Sequence, residues 1–291
     1  MTFFTIEKTH THTIIHIFGI KFSFKKQIDY KLELEKAKKE IKEFIEYKII
    51  TTNIIKEQHF KTFPKYKNIY TGKTIVILAT GPSMKYYSPI KDAIHIGINK
   101  ACLRNDINLD YLFSQDERSI NKCMDEFLNN SAQKFLGYFL KAPGTPSYLK
   151  YVDRNDVNLY YMDTFEADYS PCFMPLIEYH GLAKWGSSVF SAVQFALYTN
   201  PSKIYLVGCD CTNLGYFNGK AQTLHLPEDI FVNGWKSFST YQQAHYPNTE
   251  IISINPVNLK GLFKDIYTEA YLKENNLSNV AKVNNLEILQ V

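Results

Sequence analysis

Several short stretches of this sequence set glycine, hydroxyl and amide side chains directly behind apolar runs, a placement suited to holding a polar ligand at the edge of a sheet. Thr80-Gly81-Pro82-Ser83 supplies a glycine for close approach and two hydroxyls. It lacks the second glycine of the dinucleotide fingerprint and the GK[ST] of a P-loop, which counts against dehydrogenase and kinase chemistry. Gly186-Ser187-Ser188 opens an apolar helix, where free backbone N–H groups and the helix dipole attract phosphate; a plain serine N-cap accounts for the same residues. Asn99 and Gln115 are amides able to donate and accept at once, as reading a base or sugar requires. Asp210 follows an apolar run and suits a ribose hydroxyl, a metal or neither, while Asp116 is either a base or a cap for Glu117 to Ile120. His10, His12 and His16 alternate, but no Cys or carboxylate shares their face, so a metal site there is disfavoured.

The elements that must carry these residues follow from periodicity. Residues 2 to 24 alternate as two extended runs and predict a β-hairpin. From Gln27 to Lys56, apolar residues recur at three- and four-residue steps among lysines and glutamates, predicting an amphipathic helix whose mixed charges suit solvent better than an anionic membrane. Thr74–Leu78 reads TIVIL, a buried parallel strand, and further strands are predicted at Ala93–Ile98, Leu109–Ser114, Lys203–Gly208 and Glu250–Ile254. Cys123 to Lys184, including Lys134–Phe139 and Leu159–Met162, reads as strands and loops forming one wall of a cleft. A helix covers Val189–Tyr198 and stops at Asn200-Pro201. Residues 213 to 248 show no sustained period and read as a lid in which Trp235, Tyr241 and Tyr246 could stack on sugar faces; the tail from Leu262 reads as helical. The predicted fold class is α/β: a Rossmann-like, mostly parallel sheet with helices on both faces, an N-terminal hairpin and amphipathic helix, and a long lid at about 212–248. The predicted domains are an N-terminal extension over 1–70 and a Rossmann-like main domain over 71–291.

Composition agrees with a globular chain: 291 residues, 45% apolar and 21% charged. A net charge of +4 is too small for a nucleic-acid-binding polycation, so nucleic acid is not an expected partner. No apolar run approaches the ~18 residues of a membrane span, and the start of the chain lacks a secretory pattern. A cytoplasmic location is expected, with peripheral contact at the inner membrane and a homo-oligomer compatible with residues 1–70. Cys102, Cys123, Cys172, Cys209 and Cys211 are odd in number and lack CxxC spacing, so reduced, mostly buried thiols are expected.

The motif order ILATGPSM, a strand ending at Asn99, another ending at Gln115, and WGSSVFSAVQFALYTNPSKIYLVGCD resembles the bacterial lipo-oligosaccharide sialyltransferase family (glycosyltransferase family forty-two) and related flagellin-glycosylation factors. The similarity spans roughly residues 72 to 258. It implies a Rossmann-like fold that binds a CMP-sugar and transfers a nonulosonic acid without an obligatory metal. It assigns Thr80, Gly81, Ser83, Asn99 and Gln115 to nucleotide contacts, with Thr80 and Gln115 replacing asparagines. Gly186, Ser187 and Ser188 would meet the cytidine or phosphate, and Lys184 stands where the family has an arginine. Thr212 falls at the first phosphate-stabilising tyrosine and Tyr216 is the nearest match to the second. The family's base is a lid histidine, for which this chain offers His225 and His245, neither in a matching local motif.

The expected function is therefore a glycosyltransferase for surface glycans such as lipopolysaccharide or capsule, moving a sugar from a CMP-type donor to the hydroxyl of a glycan or lipid-linked glycan acceptor. No cofactor is required by this reading. Two other classes remain open: a phosphotransferase on a nucleotide or pterin, with Mg²⁺ held by Asp116 and Asp210, and a non-catalytic glycan-binding module.

Overall fold

The computed structural model describes residues 4–9, 12–17, 20–25, 30–115, 117–137, 148–151, 153–163, 172–183, 185–221, 227–278 and 286–289. The chain forms two compact units, residues 1–50 and 51–291.

In the first unit, strands β1 (Phe4–Lys8), β2 (His12–Ile17) and β3 (Ile20–Lys25) form an antiparallel three-stranded sheet, where the sequence predicts a two-stranded hairpin. The additional turn lies at Thr9, whose Oγ1 accepts from the His12 N–H at 2.9 Å while the Thr9 N–H donates to the His12 carbonyl. A threonine hydroxyl that mimics a backbone turn in this way divides what reads as one continuous run. His10 lies outside the described residues. Helix α1 (Tyr30–Thr62) then begins in the first unit and ends in the second. Its lysines, glutamates and aliphatic residues are good helix formers with no Gly or Pro among them, and Pro64 follows its end.

The second unit is built on an eight-stranded sheet. In chain order its elements are β4 (Thr74–Leu78), β5 (Ile94–Ile98), β6 (Tyr111–Ser114), short helices α2 (Glu117–Ile120) and α3 (Met124–Asn129), β7 (Gln133–Gly137) and β8 (Val157–Tyr160). A two-stranded pair, β9 (Met162–Asp163) and β10 (Leu182–Ala183), precedes helix α4 (Val189–Tyr198) and strand β11 (Lys203–Val207). Helix α5 (Glu228–His245), β12 (Glu250–Ile254), β13 (Lys264–Ile266) and α6 (Glu269–Glu274) complete it. The strand order is β13-β12-β11-β4-β5-β6-β7-β8, and neighbouring strands in it run parallel.

Both faces of the sheet are covered, which is why its strands are nearly all apolar. Ile75 and Ile77 of β4 pack on one face with α4 and α5, through Phe190, Phe195, Trp235 and Phe238. Val76 and Leu78 pack on the other with Met84, Tyr87, Ile120 and Phe127. Every residue of α4 is buried, as a helix that is apolar all round must be.

Two elements differ from their sequence-based reading. The predicted lid contains α5, whose Phe231, Trp235, Phe238 and Tyr241 recur at helical steps and lie in the core. Intervening Gly, Asn, Ser and Gln mask that period. The tail is mainly β13 and the six-residue α6 among the described residues, because Asn255 and Thr268 bond each other and fold the chain back along β12. Among the described residues no helix is long and apolar enough to cross a membrane.

Candidate functional site

Chain direction reverses beside β4: β5 to β8 succeed one another on one side, and β11 to β13 on the other. Connections leave β4 and β11 in opposite directions, so a crevice opens at their carboxyl ends, the usual ligand position in an open α/β sheet. The register pairs Leu78 with Val207, so the loops after both strands start at one level.

Those two loops are tied together before any ligand is considered. The Gly81 N–H donates to the Gly208 carbonyl at 2.9 Å, and a side chain at Gly81 would place Cβ 2.6 Å from both that carbonyl and an Asp210 carboxylate oxygen. Only glycine fits. The Ser83 N–H donates to Asp210 Oδ2 at 2.8 Å and the Ser83 hydroxyl donates to Asp210 Oδ1. Asp210 is thus an acceptor that latches the β4 loop onto the β11 loop, across 127 positions of sequence. Burial raises its carboxyl above the ordinary aspartate range, and the Ser83 bonds pull against that. Ser83 is buried by the same latch.

Beside the latch lies a cleft of about 90 Å³. Thr80, Ser187 and Thr212 give it hydroxyls; Val189, Phe190, Phe231 and Trp235 give it an apolar wall. Its size is below the ~300–1,000 Å³ of a complete small-molecule site, so it suits one end of a ligand. Cys209 and Cys211 also line it, and burial pushes both thiols up, Cys211 to about 12, which leaves them neutral and poorly nucleophilic near pH 7. Glycine and hydroxyls after a strand point to such a cleft; the thiols and the aromatic wall carry no comparable local signal.

A second knot adjoins the cleft. The Gln115 N–H donates to Ser188 Oγ at 2.9 Å, Ser188 Oγ donates to Asn99 Oδ1 at 3.4 Å, and Gln115 Nε2 reaches Ser191 Oγ at 3.4 Å. Gln115 and Ser188 are buried, so they join β6 to the start of α4 rather than presenting side chains to the cleft. Asn99, half-buried, adopts the left-handed conformation at φ 49°, tolerable for asparagine. Gly186 is half-buried next to Ser187.

The loop after Thr212 turns back over this rim. Gly215 and Gly219 have φ of 96° and 74°, Tyr216 N–H donates to the Lys220 carbonyl, and Phe217 N–H donates to the Thr80 carbonyl at 3.1 Å. Lys100, adjacent to Asn99, sets its Nζ 3.7 Å from the centroid of the Tyr216 ring. Sequence reasoning passed over Lys100, since nothing local marks a lysine as facing a tyrosine more than a hundred positions away.

The remaining expected residues separate. His245 ends α5, four positions before Thr249, whose hydroxyl donates to the Pro201 carbonyl ahead of β11. It is exposed at the amino rim of the sheet, the end opposite the cleft. Trp235, though buried, still lines the cleft, whereas Tyr241 is a core residue and the Tyr246 hydroxyl donates to the Pro175 carbonyl at that same amino rim. Lys184, His225 and Asp116 lie outside the described residues. With Asp210 occupied by Ser83, the Mg²⁺ pair of Asp116 and Asp210 has one member committed elsewhere; among the described residues no group of three His, Cys, Asp or Glu side chains is arranged to hold a metal.

No family model matches this chain, and no curated protein matches it. Among solved structures it is similar to the sialyltransferase CstII from Campylobacter jejuni in complex with the substrate analogue CMP-3FNeuAc, with 10% sequence identity and a TM-score of 0.37 over 66% of this chain and 85% of that one. A superposition at that level carries no conclusion about the site.

Proposed function

We propose that the protein is a glycosyltransferase acting on a nucleotide-linked sugar, CMP-linked by preference, with a glycan hydroxyl as acceptor. The observation that carries this reading is the cleft at the switch point, where Thr80, Ser187 and Thr212 meet at the carboxyl ends of β4 and β11 and the amino end of α4. Hydroxyls beside a helix start can receive a phosphate or ribose, and the flat apolar wall suits a sugar or base.

In the reaction, the anomeric carbon–oxygen bond to phosphate breaks, the acceptor oxygen bonds to that carbon, and the acceptor proton passes to a base. Charge grows on the departing phosphate, so a preorganised cation and donors should lie beside it. Lys100, held over Tyr216 next to the rim, is our candidate cation, and Lys184 in the same role follows from the motif resemblance. The base assigned by that resemblance is His225; a histidine with a pKa near ~6.5 suits removal of one proton. Thr80, Gly81, Ser187 and Thr212 are proposed nucleotide contacts, with Asn99 and Gly186 beside them. Ser83, Gln115, Ser188 and Asp210 are proposed to shape the pocket by holding the loops.

Calorimetric titration with CMP, UDP, GDP and ADP, each with and without Mg²⁺, tests this. Binding of CMP without metal is expected. Binding of ADP or GDP only with Mg²⁺ would instead establish the phosphotransfer class, and binding of free glycan with no nucleotide affinity would establish a lectin-like module.

A further inference from the structure

Helix α1 carries one apolar stripe along its length, but only its last third is covered. Leu34, Ala37, Ile41, Phe44, Lys48, Thr51 and Ile55 follow one another at alternating steps of three and four, the a and d positions of a heptad. Thr51, Ile55, His59 and Thr62 are buried in the second unit. Leu34 and Ile41 are 54% and 58% exposed and Phe44 is half-buried, with Ile45 beside the stripe 48% exposed. The opposite side is a solvent face laced by ion pairs, Lys39 to Glu43 and Lys42 to Glu46 each at 3.9 Å, while Lys38 at the edge of the stripe pairs with Glu35 at 2.9 Å.

We propose that this exposed stripe is covered by α1 of a second copy of the same chain, as a parallel two-stranded coiled coil over Leu34 to Lys48. Two features of the flanks select this occupant. Residues 33 to 46 carry Glu33, Glu35, Glu40, Glu43 and Glu46 against Lys36, Lys38, Lys39 and Lys42, a nearly neutral pattern that complements itself and gives an anionic membrane surface little to attract. In the parallel register, Glu33 at g faces Lys38 at e of the second copy; in the antiparallel one, g meets g, and Glu33 would face Tyr47 and lose that lysine. Lys48 at an a position is a polar group of the kind that restricts such a seam to one register and a low copy number.

The test is the solution mass of the full chain by light scattering. The wild type is expected at twice the chain mass of 33.8 kDa. Ile41→Glu should halve it, and Glu33→Lys should weaken association while Glu33→Lys combined with Lys38→Glu restores it. Trp185 and Trp235 both lie in the second unit, so unchanged tryptophan fluorescence in each variant verifies that this unit remains folded. Wild-type protein at single-chain mass overturns the proposal, whether or not it sediments with phosphatidylserine vesicles, and so does a dimer that Ile41→Glu leaves intact.

Discussion

The two rims of the eight-stranded sheet are made from the same strands yet use their polar groups differently. At the amino rim, polar groups serve one another: Lys67 donates to Glu178 at 2.5 Å, the Thr249 hydroxyl closes on the Pro201 carbonyl, and the Ser202 hydroxyl lies within 3.1 Å of the Gly72 and Lys73 carbonyls. At the carboxyl rim the groups fall into two sets. Ser83, Ser188 and Gln115 are spent on holding loops, whereas Thr80, Ser187 and Thr212 line a cleft, which Asp210 also borders while it holds Ser83. A polar residue at a strand end is therefore informative about ligand binding only once its partners are known.

The largest effect expected from this contrast is on turnover. Exchanging His225 for Ala should lower the rate by about 10²–10⁴-fold with CMP affinity nearly intact, whereas His245→Ala, at the amino rim, should change neither. A rate assay beside a CMP titration separates the two, and a loss with His245→Ala would bring the amino rim into the reaction.

Next is the latch. Gly81→Ala should destabilise the protein by about 2 kcal/mol, as for an overpacked site, and should also weaken nucleotide binding, because the loop can yield only by moving off Gly208 and Asp210. Thermal unfolding with and without CMP would show both losses; a neutral result would mean the two loops are not in contact.

At the amino rim, Glu178→Gln should cost about 1–3 kcal/mol by weakening a buried charged bond and leave nucleotide affinity unchanged. Burial pushes the Glu178 carboxyl up, but the Lys67 bond and charge, its own backbone N–H and the Tyr198 hydroxyl together outweigh it and hold the group below its usual range. A depressed carboxyl contributes stability above its unfolded value of ~4.3 and loses it as pH falls through the folded value. Acid unfolding curves of wild type and Glu178→Gln should therefore converge below about pH 4.

The smallest expected effect concerns Lys100. Lys100→Ala should weaken CMP binding by about tenfold, the scale of one charge-assisted bond, while Tyr216→Phe keeps the ring beneath the cation and should leave affinity as it is. Titrations of both variants check this, and a loss with Tyr216→Phe alone would move the role to the tyrosine hydroxyl.

Much of the frame was legible because it is local. The strands at Thr74–Leu78 and Glu250–Ile254 and the helix at Val189–Tyr198 lie where their apolar runs and Pro201 put them. Placing polar residues at strand ends was enough to find the rim. Helix α5 was not legible, since polar residues interrupt its four apolar contacts, and neither was the Thr9 turn, which depends on one hydroxyl.

By itself, then, the sequence determined which segments are strands and helices and which loops face one end of the sheet, because side-chain period and backbone propensity act over a few residues. Tertiary structure alone decided which hydroxyls line the cleft. Thr80 and Ser83 stand three positions apart, yet one lines the cleft and the other bonds Asp210, through a contact between β4 and β11 loops distant in sequence. It likewise set His245 at the opposite rim, since the direction in which α5 crosses the sheet is fixed by packing Trp235 and Phe238 against α4 rather than by any residue near the histidine.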